Sequence, residues 1–135
     1  SSEDTRVFAQ FAHSAMTGED IVLHTAGTSC GNYVYTADAA TAIFTLLKKG
    51  ISGECYTVAN ETSSMRIKDM AELVANCVAD GKIRVVVDIP ADKQFGYAPD
   101  VKLKLDASKL RSLGWKPQIN LEESYKRLIK YWQEN

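Results

Sequence analysis

Residues 33–61 read YVYTADAATAIFTLLKKGISGECYTVANE, and the order of elements in this stretch decides the fold. Its first residues belong to NYVYT (32–36), an aromatic and β-branched run expected to form a strand. Residues 37–49, ADAATAIFTLLKK, then read as a helix. Thr36 is placed to cap it, and Asp38 suits the positive end of the helix dipole. Lys48 and Lys49 suit the negative end, and Gly50 follows as a stop. ISGE turns the chain into CYTVA (55–59), a second expected strand.

The same alternation extends outward in both directions. Upstream, residues 5–17 carry a one-sided apolar stripe of Val7, Phe8, Phe11, Ala12, Ala15 and Met16, with Asp4 and Gly18 as expected caps. IVLH (21–24) is a short apolar strand, and TAGTSCG is a loop of small and polar residues. Downstream, IKDMAELVANCVA (67–79) is an expected helix halted by Asp80-Gly81. IRVVVDI (83–89) is a nearly continuous apolar strand, the pattern of burial on both faces. Residues 90–102 form the longest irregular stretch. A short helix at 106–115, with Asp106 as cap and Gly114 as stop, precedes a final helix capped by Asn120. Leu121, Tyr125, Leu128, Ile129 and Trp132 give that final helix an apolar face. Strands alternating with helices argue an α/β class, expected as one domain over residues 1–135.

Composition narrows the function. The 135 residues are 45% hydrophobic and 24% charged, enough for one sizeable core. Sixteen basic and seventeen acidic residues give a formal net charge of −1, so no basic surplus points to nucleic acid or an anionic membrane. No apolar run approaches the roughly 20 residues that span a bilayer. Cys30, Cys55 and Cys77 are too widely spaced for a zinc knuckle and odd in number for a disulfide framework, so reduced thiols in a cytoplasm are expected. Cys55 and Cys77 read as core residues and Cys30 as an ordinary loop thiol. The polar start, SSEDTRV, is no signal peptide, and its lack of Met suggests a processed chain or a fragment.

A search for chemistry finds little. Only two histidines occur: His13 falls off the apolar stripe, and His24 ends a strand. The carboxylate pairs Glu122–Glu123, Glu19–Asp20 and Glu3–Asp4 stand at or near helix ends, where acids favour the dipole or water. There is no GxGxxG and no GxxxxGK[ST], so a glycine-rich phosphate cradle is lacking. The residues describe a well-formed fold with no catalytic constellation.

Two stretches carry a family resemblance. One is residues 33–61, quoted above; the other is LDASKLRSLGWKPQINLEESYKRLIKYWQEN (105–135). Together they resemble the C-terminal part of the NAD-dependent epimerase/dehydratase family, the extended short-chain dehydrogenases that act on nucleotide sugars. There an aromatic strand leads into a D-x-(A/V)-x-A-(I/L) helix and a GExYNVA-like strand. Such chains end in LDxSKLxxLGWxPxxxLEEG. The resemblance implies a C-terminal substrate-binding region without its N-terminal Rossmann half. It also explains the missing chemistry, because the family's NAD loop and Tyr-x-x-x-Lys pair lie in that half. No cofactor is expected in this chain, and NAD is expected in the full-length parent.

The resemblance also implies a set of ligand residues. The family's turn before the aromatic strand reads G-x-Q-x-R-(D/S)-(F/Y), and its arginine reaches the substrate diphosphate. Gly31 stands at that arginine position here, and Asn32 takes the acidic or serine place. Arg6 lies in DTRVFAQF, similar to the family's DGRVxxxF, with Gln10 one turn later. Residues 90–102 correspond to the segment that closes over substrate, with Tyr97 its leading candidate ahead of Lys93, Lys102 and Lys104. Asn60 follows the YTVA strand, at the end where α/β sites lie. The implied partners are a nucleotide-diphosphate sugar and the Rossmann portion of the same protein. Without that portion, the helix after Tyr35 would expose apolar surface, and a homo-oligomer is expected. Two rival expectations are a non-enzymatic binding module that kept the fold and a proteolytic remnant with no ligand.

Overall fold

The computed structural model describes residues 6–91 and 99–135. Helix α1 (Val7–Thr17) is followed by strands β1 (Ile21–Leu23) and β2 (Cys30–Gly31), then helix α2 (Thr36–Lys49). A 3₁₀ turn (Glu61–Ser63) leads to strand β3 (Met65–Arg66) and helix α3 (Ile67–Leu73), whose end widens into a π turn (Val74–Val78). Strand β4 (Val85–Val87), helix α4 (Ser108–Arg111) and helix α5 (Leu121–Glu134) complete the described elements.

The helix ends follow their sequence signals. Gly18 closes α1 in the left-handed conformation at φ 76°, and its N–H reaches the Ser14 carbonyl. Asn120 caps α5, its side chain accepting from the Glu123 N–H at 2.9 Å. Asp106 accepts from the Ser108 N–H at 2.8 Å, although the helix it opens is shorter than 106–115. Thr36 is the first residue of α2 rather than its cap, and Tyr35 stands at the cap without a side-chain bond. Asp4, the expected cap of α1, lies outside the described residues.

The strands depart further from expectation. Among the described residues they form two separate two-stranded sheets. β1 pairs parallel with β4, Ile21 opposite Val85 and Leu23 opposite Val87. β2 pairs antiparallel with β3, Cys30 opposite Arg66. Of the NYVYT run, residues 32–35 are extended but outside any strand, because the Asn32 side chain takes the backbone pairing with Asn60 that a neighbouring strand would provide. CYTVA likewise runs without a ladder. Residues 83–89 yield only three strand residues. These are not buried on both faces, since Val86 and Val87 are 42% and 56% exposed in a sheet of two strands.

Two apolar clusters hold the chain. The larger gathers Phe11 and Ala12 from α1, Ile21 and Leu23 from β1, Met70 and Val74 from α3 and its π turn, and Leu121 and Tyr125 from α5. Ile21, Met70 and Tyr125 are fully buried, and each such large side chain contributes about 2 kcal/mol. The smaller cluster packs Ala42, Ala59, Ala107, Leu110 and Trp115. Asp38 ties it together from inside: its carboxylate accepts the N–H groups of Gln118 and Ile119 at 3.0 and 2.9 Å. Its own carbonyl accepts from Trp115 Nε1 at 3.1 Å. Cys55 and Cys77, expected in the core, are exposed. Cys55 lies on the unpaired extended run, and Cys77 on the π turn, where widening rotates it away from the stripe of Met70 and Val74.

Gly27 is held close to the start of α3. Its carbonyl accepts the Lys68 N–H at 3.0 Å, its φ is +64°, and a Cβ there would sit 2.9 Å from Lys68 Cβ. The outer face of α2 shows the opposite extreme. Ile43, Phe44 and Leu47 are 57%, 64% and 78% exposed, with Ile51 beyond them.

Candidate functional site

A groove of about 830 Å³ lies between the first turn of α1, the extended segment 32–35 leading into α2 and one face of α5. That size suits a small organic ligand. Arg6 and Phe8 line it from α1; Asn32, Tyr33 and Tyr35 from the extended segment; Arg127, Tyr131 and Trp132 from α5. The helical period places Leu128 and Trp132 on one face of α5, one turn apart, and Arg127 and Tyr131 beside them.

The wall combines planar aromatic surface with guanidinium charge. Arg127 lies over the Tyr35 ring, 5.5 Å from its centroid. Its Nε donates to Glu123 Oε1 at 2.7 Å, one helical turn back. Glu123, and after it Tyr35, raise the Arg127 pKa above the ordinary arginine value, so the charge is permanent. Burial raises the Tyr33 phenol, keeping it a neutral donor near pH 7. Phe8 stacks on Tyr125 with centroids 4.1 Å apart and approaches Tyr33 at 6.0 Å, so the groove floor is continuous with the larger core. Among the described lining residues there is no histidine, cysteine or carboxylate. No cluster of three or more His, Cys, Asp or Glu side chains that could hold a metal occurs among the described residues. The arrangement is suited to stacking and to binding an anion.

The expected site residues divide. Arg6 lies on the groove wall. Gln10 is exposed on α1 and stands off that wall. Gly31 is half-buried in β2, also off the wall, and a Cβ there would meet Tyr33 Oη at 3.2 Å. Asn60 is 3% exposed, and its side chain is engaged within the protein. Its Oδ1 accepts from the Thr62 N–H and hydroxyl at 3.2 and 2.7 Å, and its Nδ2 donates to the Ile119 carbonyl at 3.2 Å. Tyr97 and Lys93 lie outside the described residues; Lys102 and Lys104 are exposed. Arg127, Tyr35 and Tyr131 were not singled out by the sequence. Arg127 falls on the polar side of an amphipathic helix, where a Glu-to-Lys/Arg pair four residues apart is ordinary.

The residues present do not fit a dinucleotide cofactor. Among the described residues the positive-φ glycines, Gly18, Gly27, Gly53, Gly81 and Gly114, fall in separate turns. None forms a glycine-rich cradle at the start of a helix.

No family model matches the chain. It is 26% identical over 133 residues to the dTDP-D-glucose 4,6-dehydratase of Mus musculus, which covers 96% of this chain and 37% of that protein. The dTDP-glucose 4,6-dehydratase 1 of Escherichia coli is 26% identical over 127 residues, 90% of this chain and 34% of its own length. Among solved structures, the UDP-glucose 4-epimerase of Thermotoga maritima, determined with UDP-glucose, superposes with a TM-score of 0.74 at 24% identity, over 96% of this chain and 40% of that one. The chain is thus similar to proteins of the NAD-dependent epimerase/dehydratase family. It corresponds to the C-terminal part of the longer members and spans little more than a third of the length of the mouse and bacterial dehydratases. Among the described residues no helix is long and apolar enough to cross a membrane.

Proposed function

We propose that this chain is the nucleotide-sugar-binding part of a nucleotide-sugar epimerase or dehydratase. The groove that brings Arg6, Tyr35 and Arg127 onto one wall carries this reading. Aromatic faces suit a base or sugar ring, and guanidinium forks suit a diphosphate. The parent would use NAD, held by an N-terminal Rossmann portion, to oxidise a sugar hydroxyl by hydride transfer before rearrangement. The groove would select and orient the sugar nucleotide for that step, with Arg6 among the ligand contacts. The apolar face of α2 would seat the Rossmann portion, and in a separate chain it would seat a second copy. A reduced cytoplasmic setting accords with three free thiols. Calorimetric titration of the 135-residue chain with UDP-glucose and dTDP-glucose tests the reading. Saturable binding of either supports it, and no heat with both at millimolar ligand refutes it.

Gly31 favours a second reading, a binding module that kept the fold without a role in catalysis. The two readings separate on Gly31→Arg. The new Cβ asks the Tyr33 ring to yield by a few tenths of an ångström, since the approach is 3.2 Å. A rise in UDP-glucose affinity would support a weakened family site, and no change would support the second reading.

A further inference from the structure

We propose that Arg127 is the residue that contacts the diphosphate in this groove, serving in this chain where Gly31 offers no side chain. The inference rests on the nucleotide-sugar reading above and assigns its anion contact. Gly31 is off the groove wall, whereas Arg127 lines the groove together with Arg6, the residue just before α1.

Arg127 is held for the task. Asn120 fixes the first turn of α5 through the Glu123 N–H, and the Glu123 carboxylate then grips Arg127 Nε at 2.7 Å. The guanidinium carbon lies over the Tyr35 ring, 5.5 Å from its centroid. A guanidinium has five N–H donors, so one bond to Glu123 leaves further donors for an incoming acceptor. The Arg127 and Glu123 side chains are 49% and 45% exposed, and an exposed pair of this i,i+4 kind contributes little to stability. The arrangement is therefore costly in side-chain freedom for little structural return, but it presents an oriented fork to the groove. Lys126 and Lys130, its basic neighbours on α5, pair with Glu122 and Glu134 and are off the wall. The aromatic partners beside Arg127 distinguish the ligand from a bare anion. Tyr35, Tyr131 and Trp132 give flat surface within the same groove, as a nucleoside diphosphate needs.

The test is a calorimetric comparison of UDP and dTDP with uridine and thymidine on the 135-residue chain and two variants. Arg127→Gln is expected to weaken nucleoside diphosphate binding at least tenfold, leaving nucleoside binding and the thermal midpoint unchanged. Arg127→Lys keeps the charge without the fork and is expected to lose at least threefold for the diphosphates alone; it decides the matter if Arg127→Gln does not fold. A wild-type preference for diphosphate over nucleoside that survives in the variants overturns this assignment and leaves the nucleotide-sugar reading standing. Failure of the wild type to bind UDP-glucose, dTDP-glucose or either diphosphate overturns both.

Discussion

The side-chain amide of Asn32 pairs with the backbone of Asn60 as a neighbouring strand would. Its Nδ2 donates to the Asn60 carbonyl at 2.7 Å, and its Oδ1 accepts the Asn60 N–H at 3.2 Å. Nδ2 also lies 2.7 Å from Ser64 Oγ. One side chain thus fastens the groove's extended wall to the turn that opens the 3₁₀ segment. Asn32→Ala leaves a part-buried N–H and carbonyl without their partner, a loss of about 2 kcal/mol. Urea unfolding checks it, and a change below about 0.5 kcal/mol would show that the pairing is incidental. Asn32→Asp is no rescue, because its carboxylate would face the Asn60 carbonyl that Nδ2 now serves.

Asp38 does for the smaller cluster what Asn32 does for the groove. It is 3% exposed and accepts two backbone N–H groups. Removing a charged, buried acceptor from two part-buried N–H groups costs about 3 kcal/mol, so Asp38→Ala should unfold far below the wild-type midpoint. Trp115, bonded to the Asp38 carbonyl and 3% exposed, reports the change directly. Its fluorescence should shift to the red before global unfolding, and an unshifted spectrum would count against Asp38 as the anchor.

Tyr125 offers a pH prediction. Its ring is fully buried and stacked on Phe8, yet its hydroxyl has no hydrogen-bond partner among the described residues. Burial, and then the neighbouring Tyr33, raise its pKa far above the ordinary 10.0. The folded state therefore holds this proton more tightly than the unfolded chain. Stability from Tyr125 is intact below the unfolded value near 10 and is lost as pH rises through and beyond it. Tyr125→Phe should leave stability at pH 7 unchanged or raise it by about 1 kcal/mol, because no bond is lost. It should also flatten the fall in stability above pH 10. Equal alkaline sensitivity in both proteins would assign that fall to other groups.

The bare face of α2 predicts association. Phe44 and Leu47 are 64% and 78% exposed on one helix, and contiguous apolar surface of this kind is buried in working proteins. Sedimentation should find dimers or larger species at micromolar concentration, and Leu47→Glu should return the chain to a monomer with little loss of stability. A wild-type monomer at all concentrations would remove the face from consideration.

Helices and their ends were legible because their signals are local. Gly18 and Asn120 act where the sequence places them, and α1, α2 and α5 follow their apolar stripes. Strands were less so, since a strand is defined by a partner that composition does not name. CYTVA and NYVYT are extended as their residues favour, but one has no ladder and the other borrows a side chain. Asn60 was read as a ligand residue, while its engagement with Thr62 and Ile119 depends on contacts up to 59 residues away. Arg127 was invisible as a groove residue because its neighbours on the wall, Arg6 and Tyr35, come from the opposite half of the chain. Only packing α5 against α1 brings them together.

Residues 115–125 close both apolar clusters, Trp115 in the smaller and Tyr125 in the larger. The smaller cluster cannot form completely before Trp115 has left the ribosome, nor the larger before Tyr125 has, so early assembly of a growing chain gains little here. Earlier segments emerge with Ile21, Met70 and Leu110 still uncovered. The nascent chain is therefore a client for chaperones until α5 arrives, and a stop between residues 100 and 115 would leave both clusters open.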